Sequence, residues 1–209
     1  MGMIIRGMLP ERIEDDGLLL RRWVAGDAPA LHAVIAQCAS DLRPWVTWAD
    51  EHSTSIEARR GFIADREREW LRGGSILMGI FVADHIAGGC SLNIRADTAG
   101  VLEIGYWLHP TFRGHGLATR AARLLTETAL AADDVRAVEI RHDIANTASG
   151  GVPRRLGYTL VGQAPNPTPA PADSGTDQVW RRTSAPQSVV LRRSLELVPR
   201  RVGRHAPRA

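Results

Sequence analysis

The sequence of 209 residues has few cysteines and no long apolar run. Its two cysteines, Cys38 and Cys90, form no C-x-x-C pair, so the chain is not a disulfide scaffold and we expect both side chains to be buried. No window reaches roughly eighteen apolar residues, which argues against a membrane-spanning helix. Acidic residues interrupt the segment 11–16, so no secretory signal is expected. These absences together predict a cytoplasmic protein.

Lysine is also absent, since all 26 basic residues are arginine. The arginines concentrate at the C-terminal end: residues 181–209 carry a net charge of +7, whereas residues 1–180 carry −4. An arginine-rich segment can bind the phosphates of nucleic acids, but no aromatic residue for base stacking follows Trp180. We therefore expect no nucleic-acid partner beyond weak binding by this tail. The seven histidines have no metal-ligand spacing, and no metal is predicted.

The order of apolar patterns predicts one α/β domain with a mixed central sheet flanked by helices. The domain is expected to span residues 17–183, after a loose lead-in at 1–16 and before an Arg- and Pro-rich tail at 184–209, which we expect to be flexible. Strands are predicted at 18–23, 75–83, 86–94, 101–108, 137–142, 158–164 and 178–183, and helices at 28–39, 56–72, 113–132 and 146–156.

Residues 108–118, L-H-P-T-F-R-G-H-G-L-A, carry the clearest functional signal. They join an apolar strand pattern to a helical pattern through a turn that contains Gly114 and Gly116. The N–H groups and dipole at a helix N-terminus form a site for phosphate, and Arg113 and Arg120 could add charge. The stretch is neither a P-loop nor a dinucleotide-binding fingerprint. An ordinary strand–helix connection is the alternative interpretation.

The pattern L-x-P-x-x-R-G-x-G-L-A, directly after E-I-G-Y-W at 103–107, resembles the acetyl-CoA-binding motif of the GNAT acyltransferase superfamily. The lead-in is most similar to its Rim-type branch, the RimJ/RimL-like ribosomal-protein N-terminal acetyltransferases. The resemblance covers roughly residues 17–183. It implies that the turn amides hold the pyrophosphate of coenzyme A. The cofactor-binding residues implied by it are Leu108, Arg113, Gly114, His115, Gly116, Leu117, Ala118, Thr119 and Asn146.

Glu103 is the first candidate catalytic residue. It is a charged residue in an apolar strand pattern next to the turn, where partial desolvation would raise its pKa and suit it to act as a base. The resemblance implies that it accepts the proton of the acceptor amine, often through water. An exposed edge position, or a pair with an arginine, is the alternative.

Ser149 is the second candidate, because residues 146–158 resemble the Rim-type segment N-x-x-S-x-x-V-x-x-x-x-G-F. The resemblance implies that Ser149 protonates the departing thiolate and that Asn146 lies near the pantetheine arm. Many GNAT members instead use a tyrosine four residues before the glycine, where this sequence has Pro153. A helix N-cap is the alternative role for Ser149. Gly150, Gly151 and Pro153 predict a poor helix start, tolerable if the proline falls in the first turn.

The loop after the first helix supplies the candidate substrate-binding residues. Arg43, Trp45 and Trp48 resemble the acceptor side of Rim-type enzymes, where the tryptophans could line a tunnel and the arginine could meet an acidic group. The alternative is a structural role, in which the two tryptophans pack in the core and hold the loop in place.

The resulting prediction is an acetyl-CoA-dependent N-acyltransferase in which the amine attacks the thioester directly. The acceptor is a protein N-terminus or a small-molecule amine, and the protein is expected to be a monomer or homodimer. A CoA-binding sensor or scaffold with weak or no catalysis is the alternative function.

Overall fold

A computed structural model describes residues 10–48, 55–95 and 97–184 of the chain. Within these ranges, eight strands form a single sheet, and four α-helices pack against it. The strands are β1 (Arg12–Asp15), β2 (Leu18–Arg22), β3 (Ile76–Val82), β4 (His85–Ile94), β5 (Val101–Leu108), β6 (Ala137–Asp143), β7 (Thr159–Pro165) and β8 (Thr176–Thr183). The helices are α1 (Ala28–Leu42), α2 (Ile56–Leu71), α3 (Leu117–Leu130) and α4 (Thr147–Arg155).

The sheet is mixed, with the strand order β1-β2-β3-β4-β5-β6-β8-β7. The pair β5 and β6 is parallel, and the other neighbouring pairs are antiparallel. A parallel pair needs a crossover connection, which here contains α3. The predicted fold class, a mixed sheet flanked by helices, is confirmed.

Strand β3 illustrates how the sequence divides the core between the two faces of the sheet. Alternate residues of a strand point to opposite faces. Ile76 and Met78 join a large cluster that includes Leu125 of α3, whereas Leu77 packs with a second cluster that includes Leu31 of α1. The sheet therefore lies between α3 on one side and α1 with α2 on the other.

The lead-in expected at 1–16 is partly wrong, because residues 12–15 form strand β1 and pair with β2. The connection between these strands is Asp16 and Gly17, with φ of 43° and 77°. Asp-Gly is a favoured two-residue hairpin turn, so the sequence did carry a signal for this strand. Of the predicted tail, residues 185–209 lie outside the described residues.

Within the described ranges, no helix combines the length and apolarity that a membrane span requires.

Candidate active site

The parallel strands β5 and β6 diverge at their carboxyl ends. Their register covers only residues 101–104 against 137–140, although the strands continue to Leu108 and Asp143. Strand β5 stays paired with β4 up to Leu108, so the gap opens on its β6 side. Ligands of sheets with parallel strands commonly bind beyond the carboxyl ends of those strands. We call this gap the fork.

The turn after β5 brings an uncapped helix N-terminus to the same end of the sheet. Gly114 and Gly116 have φ of 82° and 75°, a left-handed conformation that glycine adopts without strain. Gly116 occupies the N-cap position of α3 and supplies no side-chain acceptor to the first-turn N–H groups. Residues 113–116 are exposed, and a Cβ at either glycine would meet no atom within 4 Å. An anion can therefore reach the N–H groups at the start of α3.

The two arginines expected to meet phosphate have other partners. Arg113 pairs with Asp41 of α1 at 2.9 Å. Arg120 donates to the carbonyl oxygens of Asp15, the last residue of β1, and of Asp16, in the turn that follows. The Arg120 contacts hold α3 against the β1–β2 hairpin, and the Arg113 contact joins the turn before α3 to α1.

Arg155, which the sequence analysis missed, lies next to the start of α3. Its Nε donates to Thr119 Oγ1 at 3.3 Å, and none of the ion pairs among the described residues involves it. Arg155 is at the C-terminal end of α4, and only the packing of α4 on α3 brings the two together. The adjacent Arg154 instead lies over the ring of Trp180, so sequence alone could not select between the two arginines.

Ser149 faces Tyr106 of β5 across the start of α4. Asn146 is the N-cap of this helix, since its Oδ1 accepts from the N–H of Ser149 at 3.1 Å. The alternative of Ser149 as the cap is therefore wrong. Its Oγ lies 3.1 Å from the Tyr106 hydroxyl. Burial raises the pKa of Tyr106 to about 12, so the phenol keeps its proton at neutral pH.

Pro153 explains a second contact between the same two residues. It lies inside α4 and not in the first turn, where a proline would be tolerated. Proline has no N–H, and the carbonyl of Ser149 therefore lacks its usual helical donor. The Tyr106 hydroxyl donates to that carbonyl oxygen at 2.9 Å. Because a phenol has a single proton, its oxygen can then accept from the Ser149 hydroxyl.

The close packing of α4 on the neighbouring strand β6 requires a glycine at position 150. A Cβ at this position would lie 2.7 Å from Cε1 of His142, whose ring is buried. His142 Nε2 accepts from the indole N–H of Trp180 at 3.1 Å, which places its proton on Nδ1, 2.8 Å from the carbonyl oxygen of Asp143. The glycine that predicts a poor helix start thus allows α4 to pack closely on β6.

Asp143, at the end of β6, anchors the segment that leads into α4. Burial by itself would raise the pKa of its carboxyl group, but hydrogen bonds lower it to about 2. The donors are the Ser174 hydroxyl and the N–H groups of Ala145, Gly175 and Thr176. Its own carbonyl oxygen accepts from the N–H of Asn146, so Asp143 helps to set the position of Ser149.

Glu103 adopts the ion-paired arrangement that the sequence left open. Its Oε2 accepts from Arg95 at 2.7 Å and lies 3.7 Å from Nε of Arg141. The side chain is partly exposed and, by strand alternation, lies on the same face of the sheet as Gly105. Its role as a base stays a prediction.

The three candidate acceptor-side residues are not brought together. Trp48 packs against Trp107 of β5 with ring centroids 5.9 Å apart, and it lines a cavity of about 320 Å³. Trp45 is 36% exposed, and Arg43 is the C-cap residue of α1. Neither belongs to the described lining of the cavity.

The cysteines are both buried and unpaired, as predicted. Burial raises the pKa of the Cys38 thiol, and it raises that of Cys90 to about 12. Neither thiol is therefore a ready nucleophile.

Comparison with known proteins decides the family. A family model described as "Acetyltransferase (GNAT) domain" matches residues 17–159. The chain belongs to the GNAT acetyltransferase family. Its activity is acetyl-CoA-dependent N-acyl transfer, and the alternative of a non-catalytic sensor or scaffold is not favoured. Across residues 10–48, 55–95 and 97–184 no group of three or more metal-ligating side chains occurs.

Rim-type proteins are among the relatives of this GNAT chain. YdaF of Bacillus subtilis, named provisionally as a ribosomal N-acetyltransferase, is 30% identical over 72% of this chain and 82% of its own length. A structure of RimL, a ribosomal L7/L12 alpha-N-protein acetyltransferase in complex with coenzyme A, is 27% identical with a TM-score of 0.75, covering 83% of this chain and 98% of RimL. The Salmonella typhimurium acetyltransferase that modifies the N-terminal serine of L7/L12 is 25% identical with a TM-score of 0.70, covering 81% and 96%.

Proposed function

We propose that this enzyme acetylates the α-amine of a protein N-terminus, with bacterial ribosomal proteins as the acceptor class, and that the reaction takes place at the fork. The observation that carries the proposal is the Tyr106–Ser149 contact, which lies at the fork near an uncapped helix N-terminus. The names of the relatives support the acceptor class. We place this activity in the cytoplasm, carried out by a monomer or homodimer.

The start of α3 is the proposed site for the pyrophosphate of acetyl-CoA. The N–H groups of residues 116–119 provide uncapped donors, and Arg155 provides a nearby cation. Leu108, Gly114, His115 and the backbone of Arg113 complete the turn, and Asn146 sets the start of α4. In this proposal Arg155 supplies the positive charge next to the phosphates that the sequence analysis expected from the side chains of Arg113 and Arg120.

The chemical step forms a C–N bond and breaks the C–S bond of the thioester. The acceptor nitrogen loses a proton, and the departing thiolate gains one. We assign thiolate protonation to Ser149, whose hydroxyl is next to the protonated phenol of Tyr106. Glu103 is the proposed acceptor of the amine proton through water, with Arg95 and Arg141 fixing its carboxylate.

The proposal is tested with peptides that copy the N-termini of bacterial ribosomal proteins. Each peptide is supplied with a free α-amine, and a matched copy has a blocked α-amine but keeps a lysine side chain. Thiol release from acetyl-CoA and mass spectrometry of the products report the reaction. We expect acetylation of the free α-amine alone. Acetylation of lysine side chains or small amines only, or no thiol release with any peptide, would contradict the proposal.

A further inference from the structure

Five aromatic residues border the cavity of about 320 Å³ between the sheet and helices α1 and α2. They are Trp23, Trp48, Phe62, Tyr106 and Trp107. Volumes of this size are typical of small-molecule sites, which are mainly apolar with a few polar groups. Trp107 packs toward α1, whereas the neighbouring Tyr106 packs with the α3 cluster. The cavity thus lies on the face of the sheet opposite to Ser149.

Glycines in adjacent strands form the floor of this cavity. Gly89 stands opposite Trp107, and a Cβ there would lie 2.5 Å from the indole nitrogen. Gly105 stands opposite Ser91, and a Cβ there would lie 2.8 Å from the serine hydroxyl. Glycine inside a strand weakens the strand and often marks the close approach of a ligand. The two glycines therefore leave room for the Trp107 indole and the Ser91 hydroxyl on the floor of the cavity.

The cavity borders β5 at the residues where this strand separates from β6. Its described lining includes residues 105–107 of β5, which follow directly after Ile104, the last residue of β5 paired with β6. Tyr106 both lines the cavity and contacts Ser149. A group seated in the cavity would therefore hold an attached amine next to the fork.

The charge of the cavity limits what it can accept. In the described lining, Arg59 is the one charged side chain, and it is 1% exposed. Its guanidinium lies 5.6 Å from the ring centroid of Phe62. A basic group would lose its hydration in a lining that is mainly aromatic and aliphatic, whereas an apolar ring would meet aromatic faces and edges.

We propose that this cavity receives the side chain next to the acceptor amine, and that this side chain is large and apolar, above all aromatic. This assignment rests on the proposed function and names the substrate class of that site. The acceptor peptide would begin with phenylalanine, tryptophan, leucine or methionine. Peptides that begin with alanine or serine would leave the cavity empty, and peptides that begin with lysine would place a cation beside Arg59.

The test uses one peptide sequence whose first residue alone is varied among these seven amino acids. Values of kcat/KM are measured by thiol release at saturating acetyl-CoA. We expect phenylalanine to exceed alanine and serine by at least about tenfold, the lower end of the discrimination that an apolar pocket gives for a single methylene. Lysine is expected to be the poorest acceptor.

Trp48→Ala provides the matched variant. It should lower kcat/KM for the phenylalanine peptide by about tenfold. The kcat/KM for the alanine peptide should change by less than about twofold, because only the larger side chain reaches the position of the removed ring. The KM for acetyl-CoA should not change. Leu160→Ala, an exposed apolar position on β7, is the control and should alter none of these values.

Two results would overturn the assignment in distinguishable ways. Peptides beginning with serine or alanine that react as fast as the phenylalanine peptide would refute the cavity assignment and leave the proposed function intact. No reaction with any of the seven peptides would refute the proposed function and the assignment with it. Because the wild-type comparison needs no variant, a misfolded Trp48→Ala protein would not affect either conclusion.

Discussion

The hydroxyl of Tyr106 contacts Ser149 twice, by donating to its carbonyl oxygen at 2.9 Å and by lying 3.1 Å from its hydroxyl. The first contact replaces the helix hydrogen bond that Pro153 cannot make. The second keeps a protonated phenol beside the serine assigned to protonate the thiolate. Pro153 thus leaves the Ser149 carbonyl available to the hydroxyl of the β5 tyrosine.

Ser149→Ala should lower kcat by about 10²-fold, within the usual effect of a positioned proton donor. Tyr106→Phe should lower kcat by a smaller factor, because the serine hydroxyl remains but loses its neighbour. Steady-state kinetics with acetyl-CoA should show KM for the cofactor within about twofold of wild type in both variants, since neither residue belongs to the phosphate turn.

Tyr158→Phe is the matched control for both variants. It also removes a buried tyrosine hydroxyl, which bonds to Thr126 of α3 and not to Ser149. Its kcat should stay close to wild type. A Ser149→Ala enzyme with the wild-type kcat, or equal decreases in kcat for Tyr106→Phe and Tyr158→Phe, would contradict the assigned role.

A double-mutant cycle between Tyr106 and Pro153 should reveal coupling in the free energy of unfolding. Tyr106→Phe leaves the Ser149 carbonyl without a donor and should cost roughly 1–3 kcal/mol. In a Pro153→Ala background, the new N–H of residue 153 can donate to that carbonyl, so the same change should cost less. Urea denaturation measures the four proteins. Additive effects would mean that the tyrosine does not replace the missing helix bond.

Glu103→Gln should lower turnover more than it weakens CoA binding. The substitution removes the proton acceptor and keeps the shape of the side chain. Asp97→Asn is the control, because Asp97 bonds to the same Arg95 guanidinium but lies outside the strand. Rates are measured at a pH below the pKa of the acceptor amine. An unchanged rate for Glu103→Gln there would exclude Glu103 as the base.

Asp143→Asn should destabilise the fold in a pH-dependent manner. The pKa of Asp143 is lowered to about 2, so the folded protein holds the ionised form more strongly than the unfolded chain does. Its stabilising contribution is complete above the unfolded pKa of about 3.9 and is lost as the pH falls toward 2. Melting temperatures of the two proteins should differ most at neutral pH and converge between about pH 4 and 2. A constant difference over that range would contradict the inferred role of the carboxylate.

The sequence predicted the fold well, because the apolar periods of β5 and α3 and the glycine turn between them are local signals. The hairpin at Asp16 and Gly17 was missed, although its turn sequence was readable. The resemblance proposes Ser149 and Trp48 as site residues, and their roles stay predictions. Tyr106 and Arg155 were not assigned site roles, because their positions depend on how α4 packs on β5 and α3. The partners of Glu103 and Arg113 likewise come from other elements, which no local spacing could reveal.

The most direct test of this account is the affinity for coenzyme A of Gly116→Asp compared with Gly116→Asn, measured by calorimetry at low salt. Asparagine and aspartate have the same shape, and both tolerate the left-handed backbone better than most residues, so the pair isolates the negative charge. If the start of α3 holds the pyrophosphate, the Gly116→Asp protein should bind coenzyme A at least about tenfold more weakly than the Gly116→Asn protein. The reason is charge repulsion between the new carboxylate and the phosphates at the helix N-terminus. Equal affinities for the two variants would contradict the central claim.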